Sequence, residues 1–432
     1  MTGAMYSAIA GLKTHMQNLN VIGNNIANVN TYGYKASRAV FKTSLYTSLN
    51  GGSNGTATAG GINPSQIGYG SNVANVDVDM STGNYAVTGM STDMMLDGNG
   101  FFLVGTKDLA MNFDGTSDDI NRLTSLTLTR VGDFQFRADG YLGKNDGNVV
   151  YGFLCIGLVT QDMLDRNSPN FNEKAIGKEV GEPLFSDQLV PIRYPRVEPA
   201  RYYTLGTDEE TGETVKTYVD KADAYDDEGN LLPDVFTEGL QIAYPKESGT
   251  DGRLYDAGYD AALEDSTLAM GRFTGISIDP NTGVITATSE DTEETVVIGC
   301  VAIGTVTNPN GVTSMGDNYY KAGAGSGQLT ISVGGGNAAE MGISQVNRSL
   351  WEAANAGGDD GDDTDTTDNG YYDGLTIYST KTKIISNGLE MSKTDLAQEI
   401  SQMILTQRGY QANTRIITVT DSMLEELVNM KR

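Results

Sequence analysis

This 432-residue sequence contains few of the residues on which enzyme chemistry depends. Its one histidine, His15, lies among Lys13, Thr14 and Gln17 beside a helical pattern, and we interpret it as an exposed helix residue. The sequence therefore argues against histidine-based acid–base or nucleophilic catalysis. Acidic pairs are plentiful, but the sequence places no two of them in a shared cleft. We predict a protein that is not an enzyme, with no catalytic residue and no cofactor.

Positive charge is also scarce. The chain has 29 Lys+Arg against 56 Asp+Glu, a formal net charge of -27. Phosphate binding requires clustered positive charge, so the composition predicts no nucleic-acid partner. An acidic surface also disfavours adsorption to anionic lipid.

The two cysteines, Cys155 and Cys300, lie far apart and lack the paired spacing of a zinc site. Each follows or lies within an apolar run, which favours buried free thiols over a disulfide. The acidic run 359–368 suggests a calcium loop, but its Gly and Glu spacing does not fit one. We predict a solvated loop there and no metal site.

Long apolar runs are absent as well. No stretch approaches the roughly 18 consecutive apolar residues of a membrane span, so we predict no direct membrane insertion. The N-terminus lacks a basic region followed by a continuous apolar segment, so we predict no cleavable signal peptide.

What the sequence does contain is a helical pattern at each end. Residues 3–29 have the four–three apolar spacing of a helix with a coiled-coil seam. A capping-box-like start at Ser392 opens a second such helix that reaches Val428. Each seam requires a partner helix. The seam residues are Met5, Ile9, Leu12, Met16, Leu19 and Ile26 at the N-terminus, and Leu396, Ile400, Met403, Tyr410, Ile417, Leu424 and Val428 at the C-terminus.

The residues between these helices are rich in Gly, Thr, Asn and Asp, which are typical of strands and turns. We predict an α+β fold with long terminal helices and mainly-β nested domains between them. The predicted parts are a helical domain of residues 1–30 and 391–432, an extended linker of residues 31–74, a β-rich inner domain of residues 75–156 and 271–390, and an inserted outer β domain of residues 157–270.

Four ordered motifs resemble the bacterial flagellar axial proteins, the family of rod, hook and hook-associated subunits. They occupy residues 23–35, residues 81–84 with 97–104, residues 129–136 with 139–142, and residues 406–413 with 427–432. The signature residues matched near the two helices are Gly23, Asn24, Asn25, Asn28, Asn30, Thr31, Gly33, Lys35, Gln407, Arg408, Gln411 and Asn413.

The resemblance implies a structural subunit whose terminal helices pair as a coiled coil and which polymerises with itself into a helical tube. Length and the inserted middle favour the hook members of the family over the shorter distal-rod members. The implied partners are the rod, the hook cap, the hook–filament junction proteins and the flagellar type III export apparatus. The implied location is the hook and basal body, outside the cell after export.

One alternative from a different class stays open at this point. The chain has 22 tyrosines, and the pairs Tyr202-Tyr203, Tyr319-Tyr320 and Tyr371-Tyr372 are candidate stacking platforms of a surface adhesin or carbohydrate-binding module. Ordinary half-buried strand residues account for the same pairs.

Overall fold

The computed structural model describes residues 2–52, 54–55, 60–107, 125–165, 175, 178–186, 189–198, 201–207, 214–219, 235–238, 241–247, 254–255, 269–290, 293–327, 329–333, 378–379 and 382–430. The chain divides into two compact units. The terminal unit consists of Met1–Asn84 and Met391–Arg432, and the middle unit consists of Tyr85–Glu390.

The predicted long helices are both present. Helix α1 spans Thr2–Ala27 and helix α3 spans Leu396–Met430, while a short helix α2, Gln161–Leu164, belongs to the middle unit. Helix α3 begins four residues after the predicted start because Asp395 is its cap. The Asp395 Oδ1 atom accepts hydrogen bonds from the N–H groups of Ala397 at 2.9 Å and Gln398 at 3.2 Å.

Residues 31–74, predicted to be a linker, consist largely of paired strands within the terminal unit. Strand β1 (Ser37–Thr43) pairs antiparallel with β4 (Ser71–Val78), and β2 (Tyr46–Asn50) pairs antiparallel with β3 (Ser65–Gly68). The base of this long hairpin is bonded to α1, because the Thr14 hydroxyl donates to the Ser71 carbonyl at 3.0 Å. Every described residue of β2 and β3 is exposed.

The middle unit is built of strands, as predicted. Their bounds are β5 Tyr85–Val87, β6 Met94–Asp97, β7 Phe101–Gly105, β8 Thr127–Thr129, β9 Gln135–Phe136, β10 Leu142–Gly143, β11 Val149–Leu158, β12 Pro183–Phe185, β13 Val190–Pro191, β14 Arg196–Glu198, β15 Arg201–Thr207, β16 Thr214–Val219, β17 Val235–Glu238, β18 Gln241–Ala243, β19 Lys246–Glu247, β20 Leu254–Tyr255, β21 Ala269–Met270, β22 Phe273–Ile278, β23 Val284–Ser289, β24 Thr295–Val306, β25 Thr313–Gly316, β26 Tyr319–Lys321, β27 Leu329–Val333, β28 Tyr378–Ser379, β29 Lys383–Ser386 and β30 Gly388–Glu390.

The largest sheet among the described residues has 14 strands, with the central order β22-β23-β24-β11-β7-β8-β26-β25. Its strands β7 and β24 are mostly buried apolar runs, and they pack with Phe134 and Ile384 into one hydrophobic core. Strands β12 and β13 also pair with β11, so the sheet continues beyond the predicted boundary at residue 156. Strands β14 to β21 pair only among themselves in the described part of the chain.

Both cysteines are buried free thiols, as predicted. They lie on the paired strands β11 and β24, where Cys300 is opposite Phe153. Burial raises the pKa of the Cys155 thiol to about 12 and raises the pKa of the Cys300 thiol further. Such thiols are core residues, because the reactive thiolate form is disfavoured.

A buried ion pair joins the third sequence motif to the last strand of the middle unit. Arg130 and Glu390 have almost no exposed side-chain surface, and their closest N and O atoms lie 3.9 Å apart. The Arg130 guanidinium also donates to the carbonyls of Leu96 at 3.3 Å and Gly98 at 2.7 Å. Burial is the main cause that lowers the Arg130 pKa, and Glu390 opposes it. The pair therefore holds β6, β8 and β30 together.

We expect Arg130→Met to destabilise the middle unit by about 3 kcal/mol, because it leaves the Glu390 carboxylate buried without its ion-pair partner. The double variant Arg130→Met/Glu390→Gln should recover part of this loss. Lys144→Met is the matched control, since its partner Asp133, 3.1 Å away, is half exposed and such a pair contributes at most about 1 kcal/mol. Urea unfolding of the full chain measures the free energy of unfolding of all three variants. Equal effects of Arg130→Met and Lys144→Met would contradict this account.

Candidate assembly interface

The two terminal helices contact each other through polar side chains. The Asn18 Nδ2 atom donates to the Thr406 hydroxyl at 2.9 Å, and the Asn25 Nδ2 atom donates to the Glu399 Oε1 atom at 3.0 Å. Moving forward along α1 from Asn18 to Asn25 therefore moves backward along α3 from Thr406 to Glu399, by the same number of residues. The helices run antiparallel in one register.

Two glycines bring the helices close together at the next steps of this register. A Cβ atom on Gly11 would lie 2.5 Å from the Asn413 Nδ2 atom, and one on Gly409 would lie 2.7 Å from the His15 Cε1 atom. The Asn413 and His15 side chains thus occupy the space that the missing Cβ atoms leave. The His15 ring also packs edge-on against the Phe41 ring, with the two ring centroids 6.2 Å apart. The interpretation of His15 as an exposed residue was wrong, because its ring packs between α3 and β1.

The contact between the helices lies one residue before the predicted seams on both helices. Its α1 positions are Gly11, His15, Asn18 and Asn25, next to the predicted Leu12, Met16, Leu19 and Ile26. Its α3 positions are Glu399, Thr406, Gly409 and Asn413, of which Glu399 and Gly409 directly precede the predicted Ile400 and Tyr410. The atoms that come closest across this contact belong to small or polar residues, so apolar periodicity alone does not mark it.

The predicted seam residues are consequently only partly covered within one subunit. Half-buried positions are Met5, Leu12, Leu19, Ile26, Met403 and Ile417, and exposed positions are Ile9, Met16, Leu396, Ile400, Tyr410, Leu424 and Val428. Their role in a contact between subunits stays a prediction.

Helix α3 exposes its apolar side chains and buries polar ones. Thr406 and Thr420 are its buried residues, whereas Leu405 is 69% exposed and Val419 is 57% exposed. The further exposed apolar residues of α3 outside the predicted seam are Ile404, Ile416, Met423, Leu427 and Met430. A helix that exposes this many large apolar side chains marks an interaction surface. We call the exposed apolar residues of α3 the outer face.

Asn25 is the central residue of the predicted signature. Besides bonding Glu399, its Nδ2 atom donates to the Ser37 carbonyl at 2.8 Å, and its Oδ1 atom accepts from the Ser37 N–H and the Tyr34 hydroxyl, each at 3.0 Å. One buried amide thus joins the end of α1 to the start of β1 and to α3. Burial, followed by the nearby Glu399 carboxylate, raises the Tyr34 pKa, which keeps this hydroxyl a donor.

The remaining signature residues turn the chain out of α1. The Asn28 side chain donates to the Asn24 carbonyl at 2.9 Å, and Gly33 has a φ of 65°, which favours glycine. The buried Lys35 ammonium donates to the Ser81 carbonyl at 2.7 Å. Thr31 donates to the Asn28 side chain, Gly23 and Asn413 are half-buried, and Asn30, Gln407, Arg408 and Gln411 are exposed.

Of the three tyrosine pairs of the adhesin alternative, Tyr319-Tyr320 has side chains that the structure describes, and it is packed against neighbouring side chains. Tyr320 is buried against Phe101 at 5.7 Å, and Tyr319 packs under Lys144. Tyr202-Tyr203 lies in β15, and Tyr371-Tyr372 lies outside the described residues, as does the acidic run 359–368.

Within the described ranges, no group of three His, Cys, Asp or Glu side chains is arranged to hold a metal, and no helix is long and apolar enough to span a bilayer.

Both ends of the chain match models of known protein families. Residues 5–35 match the flagella basal body rod protein family, and residues 385–430 match the flagellar basal body rod FlgEFG protein C-terminal family. The matched segments are the two helices and the residues that join them to their neighbouring strands. At both ends the chain is therefore similar to flagellar rod and hook proteins.

Curated relatives match over the full length of both proteins. The flagellar hook protein FlgE of Borreliella burgdorferi is 28% identical over 470 residues, and that of Treponema pallidum is 25% identical over 501 residues. The flagellar basal-body rod protein FlgG of Bacillus subtilis is 26% identical over 432 residues. Each alignment covers 100% of this protein and 100% of the relative.

The glycines give a direct test of the helix contact. We expect Gly11→Ala and Gly409→Ala to destabilise the paired helices by roughly 1–3 kcal/mol relative to Gly23→Ala, because the added methyl groups displace Asn413 and His15. Gly23 lies in α1, and a Cβ atom there meets nothing within 4 Å. This control should stabilise the helix by up to about 1 kcal/mol. Hydrogen exchange of the α1 and α3 amides measures the change, and equal protection in all three variants would disprove the contact.

Proposed function

We propose that this protein is the structural subunit of the flagellar hook, which assembles with copies of itself into the curved tube that joins rod to filament. The observation that carries the proposal is the full-length match to hook proteins combined with an α3 helix that exposes its apolar side. Burial of apolar surface drives association, so the outer face is the surface that a second copy covers best.

The distribution of charge supports contacts through the terminal unit. That unit has nine Lys or Arg and seven Asp or Glu of the protein's 29 and 56, which leaves 20 and 49 in the middle unit. Copies joined through their middle units would bring like charges together. Copies joined through nearly neutral terminal units avoid most of this repulsion.

We further propose that α1 and α3 complete a coiled coil in the polymer, where the predicted seam residues contact neighbouring copies. Exposed seam positions such as Ile9, Met16 and Ile400 have the spacing that such contacts require. In a single subunit the hydrogen bonds between α1 and α3 are made by polar side chains, and most of the large apolar side chains of α3 stay exposed. Association with neighbours would therefore stabilise both helices.

The partners and location follow from the same assignment. We propose the rod, the hook cap and the hook–filament junction proteins as neighbours along the axis. We also propose delivery by the flagellar type III export apparatus, which places the assembled hook outside the cell. The acidic composition supports neither nucleic acid nor anionic lipid as a partner.

The distal-rod subunit is the second candidate, because a rod protein from Bacillus subtilis also matches the full sequence at 26% identity. Hook proteins from several organisms, including Borreliella and Treponema, favour the hook. No catalytic role is proposed for either candidate.

A deletion strain tests the assignment and the outer face together. Cells that lack this gene should retain rods and lose hooks in electron micrographs, and the wild-type gene should restore hooks. Genes that encode Leu12→Asp, Ile400→Asp or Leu405→Asp should fail to restore hooks, because a carboxylate in an apolar contact is costly. The matched controls Ile400→Met and Leu405→Met keep an apolar group at the position and should restore hooks.

Two results would contradict the proposal in different ways. Loss of the rod as well as the hook from the deletion strain would favour the distal-rod subunit. Normal hooks assembled from the Ile400→Asp and Leu405→Asp variants would show that copies do not meet through the outer face.

A further inference from the structure

One segment of the terminal unit carries no charge at all. Residues 43–76 contain no Asp, Glu, Lys, Arg or His, although 20% of the full sequence is charged. This segment includes the exposed hairpin of β2 and β3 and two Asn-Gly pairs, Asn50-Gly51 and Asn54-Gly55. We propose that Asn50 and Asn54 are sites of succinimide-mediated deamidation in the folded protein. Each reaction places a carboxylate in the uncharged segment.

Deamidation needs only water and a local backbone that is free to adopt the conformation for ring closure. The backbone nitrogen of the glycine attacks the side-chain amide carbon of the preceding asparagine. The new bond between this nitrogen and this carbon closes the succinimide ring. The bond from that carbon to the amide nitrogen of asparagine then breaks with loss of ammonia. Water opens the succinimide ring to aspartate or isoaspartate. The reaction is fastest before glycine, because glycine has no Cβ atom to obstruct ring closure and its backbone is permissive.

Asn50-Gly51 lies where strand pairing ends. Asn50 is the last paired residue of β2, opposite Ser65, and Gly51 follows outside the strand. A Cβ atom on Gly51 would meet nothing within 4 Å, so the backbone there has open space around it. Asn54-Gly55 is also exposed and lies outside any helix or strand.

Asn99-Gly100 is held by its surroundings instead. Gly100 is buried, and a Cβ atom on it would lie 2.5 Å from the Ile303 Cγ2 atom. The Asn99 carbonyl accepts a hydrogen bond from the Thr382 hydroxyl at 2.6 Å. Ring closure at this pair requires local unfolding first.

Two further Asn-Gly pairs are held in the same way. At Asn310-Gly311 a Cβ atom on the glycine would lie 1.9 Å from the Gly325 carbonyl oxygen. At Asn387-Gly388 the glycine is buried and pairs with Val87 across β5 and β30. The Asn-Gly pairs at Asn50 and Asn54 therefore lie where the backbone is unobstructed, and we call them the open sites. The pairs at Asn99, Asn310 and Asn387 are held by their surroundings, and we call them the closed sites. Asn369-Gly370 lies outside the described residues.

The sequence offers an internal control for the experiment. Lys42 and Lys107 bound a tryptic peptide of residues 43–107, which holds both proposed sites and the closed Asn99-Gly100 pair. The full-length folded protein is incubated at mildly alkaline pH and sampled over time. Each sample is then digested, and mass spectrometry with fragmentation gives the rate of conversion at each asparagine.

We expect Asn50 and Asn54 to react at least about tenfold faster than Asn99, Asn310 and Asn387, which corresponds to ~1.4 kcal/mol of local opening free energy at the closed sites. In denaturant all five rates should converge. Gly51→Ala and Gly55→Ala should each slow only the asparagine that precedes them. Equal rates at open and closed sites in the folded protein would overturn the proposal, as would unreacted Asn50 and Asn54 in a protein whose denatured form reacts. Neither outcome depends on whether copies polymerise.

Discussion

The close antiparallel contact between α1 and α3 is the constraint on which the terminal unit depends. Gly11 and Gly409 each accept a side chain from the opposite helix, and Asn18 and Asn25 bond across the same surface. Small and polar residues of α3 take part in this contact, and most of its large apolar side chains are exposed. They form the outer face. The arrangement that joins the two ends of one subunit is thus the one that prepares the subunit to join others.

The middle unit is stabilised independently of that contact. Its core is apolar and continuous, and the Arg130–Glu390 pair holds three of its strands together. The large negative charge of the middle unit opposes close contact between the middle units of two copies. The terminal unit is nearly neutral, so two terminal units can come into contact without this repulsion. In the proposed polymer the terminal units would make the contacts between copies, and charge repulsion would keep the middle units apart.

Much of this architecture can be predicted from the sequence, and each prediction that was wrong has a specific physical cause. Apolar periodicity predicts both long helices, and strand alternation predicts the β-rich middle. The phase of the helix contact is missed, because an apolar pattern gives no weight to Gly409 or Thr406, which allow close approach and bonding. His15 is misinterpreted for the same reason. The hairpin of β2 and β3 is missed because its residues bury nothing within the subunit, so the local pattern resembles a linker.

In the proposed assembly, the polar residues of α1 and α3 meet within one subunit while the outer face meets a neighbour. Electron cryo-microscopy of the assembled polymer, at a resolution that distinguishes side chains, would show both contacts. We expect His15 to lie against Gly409 of the same subunit, and Leu405 and Val419 to pack against a second copy. A polymer in which Leu405 and Val419 face solvent, or in which α3 has turned so that they pack against α1 of their own subunit, would contradict it.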